Sequence, residues 1–318
     1  LMSSSNSSLG DLARSFKQSN DQEKFDLLQG LCFLLSSMED VDCKNCKKQW
    51  SVDIRDGLFD LFSNRISSEY LQDALFLSHW MIFHIGGSWA IVKPRFPLLL
   101  LQCCRTEICM HLGGYERKSS EITPEDDKPI VISNLQEQQL LVSCYSIIED
   151  TIFNLVDGNP PSWESLPAEN LIQIQGILVD IFEAIVQFLM RYENNENLFP
   201  FEDPFIFATF RIFALWSAED PTPYLEQFKT LLPLFLKLKN EVKEYQNIEL
   251  LLPGLSLIDE PFNTMQKQLL FQHLVQYLKY WTKNNSNTPL LDDPKAEMAL
   301  RILLDIGSEE PKYQGIIK

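Results

Sequence analysis

A chain of 318 residues with 45% hydrophobic and 22% charged side chains has material for one elongated domain or two compact ones, which excludes wholesale disorder. Its net charge of −17 opposes nucleic-acid phosphates and anionic membrane headgroups, and favours basic partner segments. Only 12 glycines, with no long alternation of β-branched and polar residues, exclude folds built on glycine-rich turns or many hairpins.

Residues 1–8 (LMSSSNSS) read as a disordered lead-in, and a chain that begins at Leu1 reads as a piece of something longer. The first long amphipathic helix is predicted from Asp21 to about Ser37, with Phe25, Leu28, Leu31 and Leu35 on one face. Residues 39–50 form a polar loop. Helices follow near 51–63 and 68–85, the second carrying Leu71, Leu75, Ile82 and Ile85, and Gly86-Gly87 ends it. The next helices cover about 95–112 and 134–156. Between them Tyr115–Pro129 (YERKSSEITPEDDKP) has no apolar periodicity and reads as an acidic loop, a possible internal break across 115–130.

The segment 168–192 carries the clearest helical pattern. Leu171, Ile174, Leu178, Ile181, Ile185 and Phe188 fall in one stripe, broadened by Ile177, Ala184 and Leu189. So wide an apolar face packs against more than one neighbour. Asp203-Pro204, Thr222-Pro223 and Asp293-Pro294 each place a capping side chain before a proline at the first helical position. Helices then run near 204–218, 223–243, 247–257, 262–283 and 294–307, with Pro233 expected to kink or split the second of these.

Paired in order, these segments make about five or six antiparallel helix pairs at spacings near 40–50 residues, within the range of HEAT and armadillo repeats. The expected fold is all-α: residues 9–318 as an armadillo/HEAT-like, right-handed α-solenoid. The final pair ends without a polar capping helix, which again reads as truncation.

The seven cysteines (Cys32, Cys43, Cys46, Cys103, Cys104, Cys109, Cys144) are an odd number, mostly inside apolar stretches, and read as reduced thiols filling a core in a reducing, cytoplasmic compartment. No leader is visible. The longest uninterrupted apolar run, near Phe96–Leu101, is far shorter than the roughly 20 residues that cross a bilayer, so no transmembrane segment is expected. The sequons at Asn6 and Asn284 read as chance.

Several stretches resemble the neurochondrin family. The most specific is Asp203–Asp220 (DPFIFATFRIFALWSAED), followed by Leu231–Leu238 (LLPLFLKL) and Leu250–Leu255 (LLLPGL). Upstream, Ser143–Leu155 (SCYSIIEDTIFNL) and Phe16–Leu28 (FKQSNDQEKFDLL) are similar in order and spacing. The chain resembles the middle portion of these longer proteins. That resemblance implies an armadillo-like fold without catalytic motifs, and a non-enzymatic cytoplasmic scaffold or regulator, located in neuronal cell bodies and dendrites, that promotes neurite outgrowth. It implies calmodulin-dependent kinase II and G-protein-coupled receptor tails as partners.

Residue by residue, no catalytic, cofactor or metal site is expected. Cys43 and Cys46 lack a second ligand pair at zinc spacing, and His79 and His84 are turned apart on their helix. Treatment with a chelator, or replacing Cys43 and Cys46 by serine, is therefore expected to leave the melting temperature unchanged; a drop of several degrees would reveal a structural metal. His111 and His273 lie in amphipathic helices, and there is no phosphate loop or nucleophile elbow. An alternative is a transport or trafficking adaptor whose acidic groove takes basic peptides. Such grooves carry Trp with Asn four residues on. Here Trp50, Trp80, Trp89, Trp163 and Trp216 are followed instead by Ile54, His84, Lys93, Pro167 and Asp220, and only Trp281 is followed by an asparagine, Asn285.

Overall fold

The computed structural model describes residues 2–38, 49–64, 67–120, 135–157, 166–193, 199, 201–219, 222–238, 246–258, 262–285 and 289–309. Every regular element among them is a helix. In chain order they are α1 (Met2–Gln18), α2 (Asp21–Ser36), α3 (Gln49–Ser63), α4 (Ser68–Ile85), α5 (Ser88–Ile91), α6 (Phe96–Ser120), α7 (Leu135–Asp157), α8 (Ala168–Met190), α9 (Pro204–Ser217), α10 (Leu225–Lys237), α11 (Gln246–Ser256), α12 (Thr264–Asn284) and α13 (Pro294–Glu309). The fold is all-α and of the helical-solenoid type. The chain divides into two compact units, Leu1–Arg117 with Ile132–Ala184, and Ile185–Lys318 with Lys118–Val131.

In the first unit α1 packs on α3 and α2 on α4, each on its next-but-one neighbour, and α4 packs in turn on α7. Helices α1 and α3 form one layer, and α2, α4 and α7 form a second. Helices α1 and α2 run antiparallel, since Lys24 lies over the Phe16 ring while a Cβ at Gly30 would meet Leu12. Helices α1 and α3 approach so closely that a Cβ at Gly57 would stand 2.4 Å from the Phe16 ring. Lys17 ties α1 to α3 within a layer, bridging Asp53 at 3.0 Å and Asp56 at 2.8 Å; Lys93, just past α5, reaches Asp56 at 3.4 Å, and Lys24 of α2 pairs across the layers with Asp60 of α3. Across α6 and α8, Arg105 meets Asp180 at 2.6 Å. Many of the side-chain hydrogen bonds between stacked helices join residues 36 to 49 apart, which is the repeat length expressed as distance rather than as letters.

In the second unit α9, α11 and α13 form one layer and α10 and α12 the other. Its core is aromatic. Phe210 and Phe213 of α9 meet Phe235 of α10 at ring separations of 4.5 and 5.3 Å, and Phe213 lies 5.9 Å from Phe228. Buried Asn247, at the start of α11, donates to the carbonyls of Phe235 and Leu238 and so closes the end of α10.

The predicted starts at Asp203 and Asp293 hold. Asp203 accepts from the Phe205 amide at 2.8 Å, and Asp293 accepts from Lys295 and Ala296 at 2.9 and 3.0 Å. These amide donors hold the Asp293 carboxyl below the usual carboxylate range. Gly86 ends α4 as expected, at φ 93°, a conformation that costs any residue with a Cβ. Along the stripe of α8, Ile174, Ile177, Leu178, Ile181, Ile185, Phe188 and Leu189 are buried, while Leu171 and Ala184 are half-buried. This is the one helix among the described residues long and apolar enough to cross a membrane. Core packing uses that hydrophobicity here, while Asp180 on its outer side pairs with Arg105.

Elsewhere the structure differs from the sequence expectation. Helix α1 starts at Met2, inside the stretch read as a disordered lead-in. Leu9, Ala13 and Phe16 bury completely or nearly so, and extending an anchored helix is propagation, which costs far less than nucleation. Helix α6 continues to Ser120, into the segment read as acidic loop; residues 121–134, like the polar loop at 39–48, lie outside the described residues. The division into units falls within α8, between Ala184 and Ile185. Thr222-Pro223 opens a single 3₁₀ turn before α10 begins at Leu225.

Pro233 does not split its helix: α10 runs from Leu225 to Lys237 around it. A proline lacks the N–H that would bond the carbonyl four residues back, here that of Lys229. The Gln266 side chain of α12 supplies a replacement, donating to the Lys229 carbonyl at 2.7 Å. The same side chain accepts from the Asn263 amide at 3.0 Å while Asn263 accepts from the Gln266 amide, a capping box that fixes the start of α12.

Candidate protein-docking face

Residues singled out in the sequence are mostly engaged in the fold. Cys32, Cys104 and Cys144 are buried free thiols, and Cys103 and Cys109 are half-buried. Burial pushes the Cys103 thiol up to about 12 and holds Cys104, in contact with the Cys144 sulfur, well above the usual range, so these stay protonated. Cys43, Cys46 and Trp163 lie outside the described residues. No group of three or more potential metal ligands occurs among the described residues.

Trp89 is fully buried and donates to the Ser51 carbonyl at 2.9 Å. Trp281 is buried and donates to Asp293, while Asn285 turns back onto the Trp281 carbonyl. The one Trp-Asn pair is thus a helix end and not a rung of a peptide groove. Gly87 lies where a Cβ would meet the Asp150 carboxylate at 2.0 Å, so the glycine lets α7 approach the corner between α4 and α5. A carboxylate in that place repels a phosphate. Burial raises Asp150 to about 6, which leaves it mostly ionised at neutral pH.

His79 and His84 sit in an aromatic cluster along α4. Trp80 stacks on His84 at 5.4 Å and meets Phe76 and Phe83 edge-on at 5.9 and 5.6 Å. His84 hydrogen-bonds the Leu35 carbonyl of α2 at 3.1 Å. Burial, with His84 beside it, lowers His79 to about 4, so this ring is neutral under physiological conditions. His111 faces Glu107 at 3.7 Å, and His273 bonds the carbonyl one turn back at 3.0 Å.

The cluster belongs to a face formed by α2, α4 and α7. These helices run parallel: Gln22 meets Tyr70 and Leu35 meets His84, while a Cβ at Gly87, just past α4, would meet Asp150 and Asn154 of α7. Phe25 stacks flat on Tyr70 at 3.6 Å. Between the helices lies a cavity of about 190 Å³, bordered by the amides of Gln29, Gln72 and Gln139 with Asp73 and Phe76. The three helices contain a single lysine or arginine, Lys24, which is buried against Asp60 of α3. Their acidic residues include Glu23, Asp26, Asp73, Glu137, Glu149 and Asp150. The face becomes visible as a whole only when α2, α4 and α7 are known to share a layer.

The neurochondrin family profile matches residues 7–307 of the chain. The chain is similar to neurochondrin of Xenopus laevis, 25% identical over 198 residues, covering 61% of this chain and 24% of that protein. It is 23% identical over 235 residues to neurochondrin of Rattus norvegicus, covering 72% and 28%. A neurochondrin homolog of Drosophila melanogaster is 21% identical over 234 residues, covering 72% and 30%. The chain thus spans less than a third of the length of these relatives. No solved structure matches it. Neurochondrins are not a known enzyme family, and the match over nearly the whole of a layered helical chain settles the assignment: the chain belongs to the neurochondrin family.

Proposed function

We propose that this chain is a non-enzymatic scaffold that binds basic segments of other proteins through acidic helix faces bearing exposed aromatic side chains. The observation that carries this reading is the absence of any accessible lysine or arginine from α2, α4 and α7, in a chain with a net charge of −17. Opposite charge steers a basic segment toward such a face, and apolar contacts then hold it. Family membership supports a cytoplasmic role in neurons, promoting neurite outgrowth, with calmodulin-dependent kinase II and the tails of G-protein-coupled receptors as partners.

Stopped-flow association with a basic receptor-tail peptide tests the electrostatic part. Raising ionic strength from about 0.01 M to 0.15 M shortens the screening length from about 30 Å to about 8 Å. The association rate is expected to fall by about tenfold or more, with a smaller change in dissociation. Rates indifferent to salt would reduce the acidic surface to a solubilising coat.

A further inference from the structure

Among the described residues three aromatic side chains are exposed, Phe33 at 74%, Phe83 at 68% and Phe153 at 60%, and all three lie on the α2–α4–α7 face. There is one on each helix. All sit toward the C-terminal ends: His84, next to Phe83, bonds the carbonyl of Leu35, two residues past Phe33. On the other side, a Cβ at Gly87 would meet Asp150 and Asn154, which flank Phe153. The three rings therefore form a row across three parallel helices, beside which Val156, three residues past Phe153 on α7, is also exposed.

Asp26 precedes Phe33 by two helical turns, and Glu149 precedes Phe153 by about one, so each shares the stripe of its phenylalanine. The C-terminal end of a helix also carries the negative pole of its dipole, and here three such ends point the same way. Exposed rings bind cations on their faces, and acidic side chains with negative dipole ends reinforce that preference.

Spacing identifies the shape of the occupant. Packed helices stand about 8–10 Å apart, so one ring per helix places anchors at that interval. A polyproline-type chain rises about 3.1 Å per residue with three residues per turn, bringing every third side chain to the same face about 9 Å along.

We propose that the row Phe33–Phe83–Phe153 docks an extended basic segment of a partner protein, with apolar or arginine side chains at every third residue and lysine or arginine between them. This rests on the scaffold reading above and names its site and ligand class.

The probe is a fluorescent ten-residue peptide with leucine at every third position and lysine or arginine elsewhere, titrated by polarisation against the full chain. One control has glutamate in place of the basic residues. Another has the basic composition with its leucines at alternate positions. Phe33→Ala, Phe83→Ala and Phe153→Ala are each expected to weaken binding by about fivefold, and the triple variant by about 100-fold. The exposed pair Ile172→Ala and Val179→Ala on α8 is expected to change nothing, and circular dichroism confirms that all variants remain folded. Equal binding of the two leucine spacings overturns the extended register. Full-strength, salt-sensitive binding by the triple variant overturns the site while leaving the scaffold reading intact. Failure of the wild-type chain to bind any basic peptide overturns that reading as well. Concentration-dependent dimerisation abolished in the triple variant would make the row a contact between copies of this chain, and would overturn the proposal.

Discussion

Replacing Trp89 with alanine is expected to destabilise the first unit by about 3–5 kcal/mol, the cost of emptying a fully buried aromatic site. Trp89 has no exposed surface and packs edge-on against Phe96 at 5.4 Å. It also ties the short helix α5 to α3 in both directions: its indole N–H donates to the Ser51 carbonyl, and its own carbonyl accepts from Arg55 at 3.1 Å. Alanine keeps the backbone acceptor and loses the ring and the indole donor. Phenylalanine keeps most of the apolar volume and loses the donor, so Trp89→Phe should cost about half as much. Urea unfolding curves measure both, and a loss under about 1 kcal/mol for the alanine variant would mean that the site collapses around the missing ring.

The second large effect is a coupling. Gln266→Met is expected to cost about 1–3 kcal/mol, because it removes the donor to the Lys229 carbonyl together with half of the α12 capping box. In a Pro233→Ala background, residue 233 regains its N–H and can bond that carbonyl within α10. There the Gln266→Met cost should fall to the capping contribution alone, about 1 kcal/mol. A double-mutant cycle by chemical denaturation isolates the difference. Additive effects would show that the glutamine does not compensate for the proline.

Features set by neighbouring residues were legible in the sequence. The caps at Asp203 and Asp293 depend on a side chain and the amides two and three residues on, and the stripe of α8 depends on spacing alone. Tertiary compensation was not legible. Pro233 reads as a helix breaker until α12 is placed beside it, and nothing near Pro233 in the chain points to Gln266. Helix α1 was hidden because its serine-rich start carries no apolar period, and α5 because one helical turn has none to show. The face formed by α2, α4 and α7 was half legible. Phe33 falls outside the stripe formed by Leu28, Leu31 and Leu35, and neither α4 nor α7 contains a lysine or arginine. Those signals acquire a meaning only once the three helices are known to lie side by side.

Stacking most helices on a partner about one repeat away also sets how the chain comes to be folded. Most partners lie one repeat away in sequence, so closing the intervening loop costs little entropy and the relative contact order is low. A nucleus can form in any adjacent pair and spread to the next by adding one interface at a time. A whole repeat can on the same logic be inserted or lost with only its two flanking interfaces to rebuild. That gives such chains a way to vary in length, and in the number of helix faces they expose, without redesigning a central core.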